Sequence, residues 1–297
     1  MKIFIVGSKG FIGSHLTSTM RASGYTVIES PVKGDANVPN VWMEQQVSKI
    51  SNFLKFHQPD ICVNCSGAAH VLGSFDEPLL DFSRNTVDVY QILDAIRIHS
   101  PHTRFVHLSS AAVYGSPKVL PISETSATNP VSPYGFHKLA SENFCREFTM
   151  LYGIKTTSLR IFSAYGPGLR KQILWDFYQK WKQSQVIDMF GTGEETRDFV
   201  FIDDLCSAIE TVIRDAPFNG EAINIASGVP ISIRDIVTIL ASELGGRKKI
   251  RFVGQKRTGD PDYWHADISF LKELGFVSST SIETGIKVTA QWQKENG

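Results

Sequence analysis

A parallel, doubly wound α/β sheet carrying a smaller mixed α/β lobe is the fold class predicted for this chain of 297 residues. Three observations lead there. Short apolar runs alternate with longer stretches of helical character, the pattern of repeated strand–helix–strand units. The first run is followed at once by glycines spaced three apart and then by a helix. Later runs end in small or hydroxyl-bearing residues, at the sheet edge where open α/β folds bind ligands.

Ile3 to Val6 reads as a first buried strand. Gly7-Ser8-Lys9-Gly10-Phe11-Ile12-Gly13 follows, and Ser14 to Ser23 continues as a helix. Strand, glycine-rich turn and helix are the context of a dinucleotide-binding turn. Gly7 permits the tight bend, Gly10 lets the backbone approach a pyrophosphate, and Gly13 lets the helix lie close to the strand. The helix N-terminus then faces the phosphates. The spacing is Gly-x-x-Gly-x-x-Gly instead of the commoner Gly-x-Gly-x-x-Gly. Tyr25 to Glu29 is the second strand. An acid near its end binds the adenosine ribose and selects NAD, and Glu29 stands at about that distance. Ser30-Pro31-Val32-Lys33 follows, where Ser30 and Lys33 suit a 2′-phosphate, although Lys33 reads equally as a solvated loop lysine. NAD and NADP both stay open. Asp35, in Gly34-Asp35-Ala36, either meets an adenine amino group or forms a turn.

Val41 to His57 has helical character, and Ile61 to Cys65 is the next strand. It runs into Ser66-Gly67-Ala68-Ala69, whose small side chains let a flat ligand lie against the backbone. Cys62 and Cys65 form a Cys-x-x-Cys pair, but odd spacing on a strand puts them on opposite faces and no second ligand pair follows, so they read as packing residues. Leu79 to Ile98 is a long helical segment carrying Asn85. Phe105 to Leu108 is a strand with Ser109 and Ser110 at its carboxyl end. After a proline-punctuated loop, Tyr134 to Gly153 is a long amphipathic helix, and Thr156 to Phe162 is a strand. Tyr165-Gly166-Pro167-Gly168 marks a boundary. Beyond it helices mix with short strands such as Phe199 to Ile202 and Ala222 to Ile225. The expected division is residues 1–165, with returning segments near 196–228, for the dinucleotide domain, and 166–195 with 229–297 for the smaller lobe.

Bulk composition narrows the function. Hydrophobic residues make up 42%, ample for a core, and acidic and basic residues balance at 30 each. No polybasic field points to nucleic acid or a membrane. No apolar run is long enough to span a bilayer, and the N-terminus reads as a strand leading into Gly7 and not as a signal peptide. A soluble cytoplasmic protein is expected, with no metal site.

The chemistry is expected at Ser132-Pro133-Tyr134-Gly135-Phe136-His137-Lys138. Ser132 can cap the helix and Pro133 fits its first position. Tyr134 and Lys138 then lie one turn apart on one face. A free tyrosine titrates near pH ~10, and lowering that by roughly three units takes about 4 kcal/mol. A close cation, a helix end and a charged cofactor together are expected to supply it. Tyr114/Lys118 and Tyr178/Lys182 share the spacing. Gly115 and Pro117 break the first, and no serine-bearing strand end closely precedes the second.

Together these residues resemble the extended short-chain dehydrogenase/reductase family, in its nucleotide-sugar epimerase/dehydratase branch, over essentially the whole chain. The resemblance is carried by Gly7-x-x-Gly10-x-x-Gly13, Ser109-Ser110-Ala111-Ala112-Val113-Tyr114-Gly115, Tyr134-x-x-x-Lys138, Arg160 to Gly168, Gly191 to Asp204, Arg257-Thr258-Gly259-Asp260 and Ala266-Asp267-Ile268. It implies a Rossmann-type sheet and hydride transfer on a nicotinamide cofactor. Tyr134 would be the acid/base at a sugar hydroxyl, Lys138 would hold the nicotinamide ribose and lower the tyrosine pKa, and Ser110 would bind the reacting oxygen. Phe11, Ile12, Ala36, Gly67, Ala68, Ala69, Asn85, Ser109 and Phe162 would join the cofactor site. Ser163, Gln172, Leu174, Phe190 and Asp260 would join the substrate site, with Arg197 and Arg257 clamping the diphosphate.

Three departures bear on the reaction. Ala111-Ala112 replace the acids of the dehydratases, Pro31 stands where an acid usually closes the second strand, and Ser163 replaces a sugar-contacting asparagine. The expected activity is NAD(P)-dependent epimerisation of a UDP-sugar at C4 through a 4-keto sugar. The alternatives are an NADPH-dependent reductase of a 4-keto-6-deoxy nucleotide sugar and a non-catalytic dinucleotide sensor. A homodimer through helices near 82–98 and 135–150 is expected from the resemblance.

Overall fold

The computed structural model describes residues 1–29, 41–255, 259 and 261–297, with the side chains of 41–48 left out. Ser30, Pro31, Lys33, Asp35, Ala36, Arg257 and Asp260 therefore lie outside the described residues. The strands are, in chain order, β1 (Lys2–Val6), β2 (Thr26–Glu29), β3 (Ile61–Asn64), β4 (Arg104–Ser110), β5 (Thr156–Ile161), β6 (Ser163–Tyr165), β7 (Val186–Met189), β8 (Thr196–Phe201), β9 (Ala222–Ile225), β10 (Pro230–Ser232) and β11 (Lys249–Phe252). The principal helices are α1 (Phe11–Ala22), α2 (Val41–His57), α3 (Val71–Asp76), α4 (Pro78–Phe82), α5 (Asp88–His99), α6 (Pro133–Tyr152), α7 (Gln172–Gln183), α8 (Ile202–Asp215), α9 (Ile233–Leu244), α10 (Ser269–Glu273) and α11 (Ile282–Asn296).

The central sheet runs β2-β1-β3-β4-β5-β9 with every pairing parallel. Its strands are apolar on both sides because helices cover both faces. Ile3, Phe4 and Ile5 are all fully buried. Helices α1 and α8 pack together over one face, and α2, α5 and α6 cover the other. Cys62 joins the core beneath α5 and α6, while Cys65 packs against the opposite core, as their odd spacing requires. Burial raises the pKa of both thiols.

The chain leaves β1 for β2 on one side and later returns to place β3 on the other. That reversal opens a crevice at the carboxyl edge, where Gly7 to Gly13, Ser66 to Ala69 and Ser110 all emerge. The smaller lobe is mixed, as expected: β8 pairs antiparallel with β10 and parallel with β6, and β7 pairs parallel with β11. Its helices α9 and α11 pack on each other.

Two local features set the crevice wall. Ser132 caps α6, accepting Gly135 N–H at 3.1 Å, with Pro133 in the first turn and Gly153 closing the helix at φ +69°. The long segment expected from Leu79 to Ile98 is helical but interrupted by a π-helical turn, Ser83–Val87, between α4 and α5. Such turns re-aim side chains in otherwise regular helices. This one buries Asn85 and Thr86 completely.

Candidate active site

A cleft of about 670 Å³ runs along the carboxyl edge of the sheet and is closed by the smaller lobe. Its floor begins beside the glycine turn. Gly7 has φ +77°, and a Cβ there would stand 2.8 Å from Ser66 N. A Cβ on Gly13 would stand 2.2 Å from Gly7 O, so α1 lies against the turn only because the position is glycine. Gly10 N–H donates to Gly7 O at 3.0 Å, and Gly10 is the backbone N-cap of α1. Its first turn holds no acidic side chain, leaving the positive helix end open to an anion. A bare backbone cradle at a helix start fits the pyrophosphate of a dinucleotide. Ile12 lines the cleft, whereas Phe11 lies beside the turn, packed edge-on against His15.

Glu29 ends β2 close to this turn. Its carboxylate accepts Ser8 Oγ at 3.2 Å and pairs with Lys9 at 2.7 Å and Arg21 at 2.8 Å. The Lys9 and Arg21 partners hold its pKa down to about 2.

Ser110, Tyr134 and Lys138 meet on one wall of the cleft. Ser110 ends β4, and its hydroxyl accepts Ala112 N–H at 3.2 Å, starting a short 3-10 turn. The Ser110 hydroxyl also faces the Tyr134 phenol closely enough to draw its pKa down. Lys138 Nζ lies 6.0 Å from the Tyr134 ring centroid and donates to Leu108 O at 2.9 Å. An ammonium has three donors, and Gly67 faces this one: a Cβ at Gly67 would be 3.5 Å from Nζ.

The electrostatics differ from the expectation. Burial pushes the Tyr134 phenol up to about 12, with Ser110 pulling it down and Asp81 pushing it further up. Lys138 is itself lowered to about 8 by burial. The protein's own groups thus keep the phenol protonated. The lysine expected to lower it is turned toward Leu108 O, and desolvation outweighs the helix end.

The other two tyrosine–lysine pairs lie elsewhere. Tyr114 is fully buried, its hydroxyl bonded to Asn224 Oδ1 at 2.7 Å and to Arg160 at 2.9 Å, while Lys118 is exposed. Lys182 lies 5.5 Å from the Tyr178 ring, and neither lines the cleft.

Behind the wall stand Asp81 and Glu142, which pattern reading missed, holding Asn85 and Ser109, which it named. Asn85 grips the small-residue loop from below: its Nδ2 donates to Ala68 O at 3.0 Å and its Oδ1 accepts Ala68 N–H at 3.2 Å. Asn85 Nδ2 also donates to buried Asp81, and the other oxygen of Asp81 lies 2.6 Å from His137 Nδ1. Asn85 therefore positions the wall without lining it. Ser109 lines the cleft but commits its hydroxyl to Glu142 at 2.5 Å, and Glu142 pairs with buried Arg160 at 2.8 Å. The available signal was spacing: Asp81 and Asn85 are four apart on one helical stretch, and His137 directly precedes Lys138.

On the lobe side, Phe162, Ser163, Gln172, Phe190 and Arg197 line the cleft together with Gly67, Ala68 and Ala69. Arg197 donates to Thr196 O at 2.8 Å, and its guanidinium lies 5.7 Å from the Trp264 ring centroid. Leu174 is not on the wall: its side chain is buried in the lobe core, since the first turn of α7 points it inward beside Phe177. Among the described residues no cluster of metal-ligating side chains occurs.

Residues 3–226 match the model of the NAD dependent epimerase/dehydratase family. The chain is 26% identical over 310 residues to UDP-glucose 4-epimerase of Mycolicibacterium smegmatis, covering 98% of each chain. It is similar to the structure of UDP-glucose 4-epimerase from Thermotoga maritima with UDP-glucose, with a TM-score of 0.88, 26% identity and 99% of each chain covered. It is likewise similar to UDP-glucuronic acid 4-epimerase from Bacillus cereus in complex with UDP-glucuronic acid and NAD, with a TM-score of 0.86, 25% identity and 99% of each chain covered.

Proposed function

Because this chain belongs to the NAD dependent epimerase/dehydratase family, we propose that it inverts C4 of a UDP-sugar through a 4-keto form of the sugar. The observation that carries the reading is the meeting of Ser110, Tyr134 and Lys138 on one wall of a cleft that begins at the glycine turn. Epimerases acting on UDP-sugars among its relatives supply the substrate class.

Residues 1–165 with 196–228 hold the dinucleotide, and 166–195 with 229–297 hold the nucleotide sugar. Gly7, Gly10 and Gly13 take the pyrophosphate on bare backbone at the start of α1. Lys138 offers its remaining donors to the nicotinamide ribose beside Gly67. When bound, NAD supplies the hydride acceptor and then the hydride donor at C4. The charge of a bound nicotinamide ring would add to the pull of Ser110 and draw the raised phenol back down, so that Tyr134 would take the proton from the C4 hydroxyl and give it back, and Ser110 would hydrogen-bond the same oxygen. Arg197 faces the diphosphate, where a guanidinium fork matches the paired oxygens. Ala111 and Ala112 put no acid beside Ser110, so the reaction stops short of eliminating water.

The apolar side chains exposed on the outer faces of α5 and α6, among them Ile98, Met150, Leu151 and Tyr152, would be covered by a second copy.

A panel of UDP-sugars incubated without added NADPH and followed by NMR tests the activity. A C4 epimer should accumulate with no net change in cofactor redox state. Product formed only with stoichiometric NADPH oxidation on a keto sugar would replace the epimerase by a reductase. Cofactor binding with no turnover of any nucleotide sugar would make the chain a sensor.

A further inference from the structure

The lobe side of the cleft carries a cation that the scheme above leaves idle. Lys171 immediately precedes α7 in extended conformation, and Gln172 opens that helix at φ +66°. A positive φ is costly for a non-glycine residue and persists where surrounding structure enforces it. The chain is anchored two residues earlier. The guanidinium of Arg170 lies 5.5 Å from the Trp175 ring centroid and 5.3 Å from that of Trp292, and its Nη2 donates to Asn296 O at 2.8 Å. With Arg170 pinned and α7 beginning at once, Lys171 is sent across the cleft, where Nζ donates to Ala69 O at 3.2 Å.

Its surroundings suit an anion. The side chain is open to the cleft, yet protein crowds it enough to lower its pKa by desolvation, and among the described residues no carboxylate counteracts that shift. One carbonyl leaves an ammonium two further donors. A crowded cation without a counter-charge gains most when a ligand brings one.

We propose that Lys171 selects the sugar by pairing with a carboxylate on the hexose, which makes the substrate a UDP-hexuronate. This rests on the UDP-sugar 4-epimerase reading. The diphosphate is the other anion on such a substrate. Location favours the sugar. Ala69 is two residues, at most ~7 Å of extended chain, from Gly67, which abuts Lys138. The ammonium therefore lies toward the reacting end of the cleft, whereas Arg197 sits on β8 against Trp264.

The test compares kcat/KM for UDP-glucuronate and UDP-glucose in wild type, Lys171→Met and Lys171→Arg. Wild type should favour the uronate. Lys171→Met should lower the uronate-to-glucose ratio on the order of tenfold or more, the scale of one charged hydrogen bond, and Lys171→Arg should recover part of it. A ratio within one protein is insensitive to the fraction that folds. Equal losses on both substrates would put Lys171 on the shared diphosphate and overturn the proposal. Wild type that epimerises UDP-glucose and ignores UDP-glucuronate would overturn it while leaving the epimerase reading intact. Turnover of neither would overturn both.

Discussion

Tyr134 shares a wall of the cleft with Ser110, lies near Lys138, and has its phenol pushed up by its own burial. Tyr134→Phe should keep dinucleotide affinity and lose turnover by roughly 10²–10⁴-fold, the range for one acid/base group. Near-wild-type rates would remove Tyr134 from the chemistry. Lys118→Ala and Lys182→Ala should change turnover little, because neither lysine borders the cleft. Lys138 gives a second handle through pH. Burial lowers it from 10.5 to about 8, so between those values the unfolded chain binds more protons and stability rises with pH. The stability of Lys138→Met relative to wild type should therefore be most favourable near pH 7. It should decline by roughly 3 kcal/mol by about pH 10.5. Urea unfolding at the two ends of that window measures it, and a pH-independent difference would mean that Lys138 is not desolvated. Ser132, Tyr134 and Lys138 were legible because capping and helical spacing are local. The direction of the phenol's shift was not, since burial depends on how α3, α4 and β4 close around α6.

At the scale of elements, one buried network ties the sheet to its helices. Glu142 of α6 takes the hydroxyl of Ser109 from β4 and the guanidinium of Arg160 from β5. Arg160 reaches on to Tyr114, and Tyr114 to Asn224 of β9. Removing either charge of the Glu142–Arg160 pair leaves the other buried and uncompensated. Glu142→Gln should cost about 3 kcal/mol in chemical denaturation, and a change within a few tenths would show Arg160 to be adequately solvated. The strands, the glycine turn and α6 follow from apolar runs, glycine spacing and a cap. The Glu142–Arg160 pair does not, because eighteen residues separate them and only the packing of α6 on β5 brings them together. The π-helical turn escaped for a related reason: helical periodicity tolerates one wide turn, and only the grip of Asn85 on Ala68 shows what it achieves.

Across the whole molecule, the carboxyl ends of α5 and α6 leave large apolar side chains exposed. Ile98 is 54% exposed, Met150 71% and Leu151 69%. Light scattering should find particles of twice the 33.0 kDa chain mass, and Leu151→Arg should shift them toward the single chain. A monomer at every concentration would leave that surface for another partner. The mixed lobe was foreseen as a class, but not its pairing: β8 joins β6 from one side of the boundary and β10 from the other, a closure no local pattern encodes.

The neighbouring hydroxyls at the end of β4 have a consequence for how this chain tolerates change. Ser109 and Ser110 point to opposite sides, one into the Glu142 network and one toward Tyr134. A single-residue insertion or deletion upstream in β4 would turn the whole strand over. It would keep a serine at only one of the two places. Displacement in one direction would put Ala111 at the cleft in place of Ser110, and in the other Leu108 into the Glu142 network in place of Ser109. Adjacent serines therefore do not stand in for one another: either shift strips a hydroxyl from the cleft or from the buried network, so β4 should tolerate no change of length.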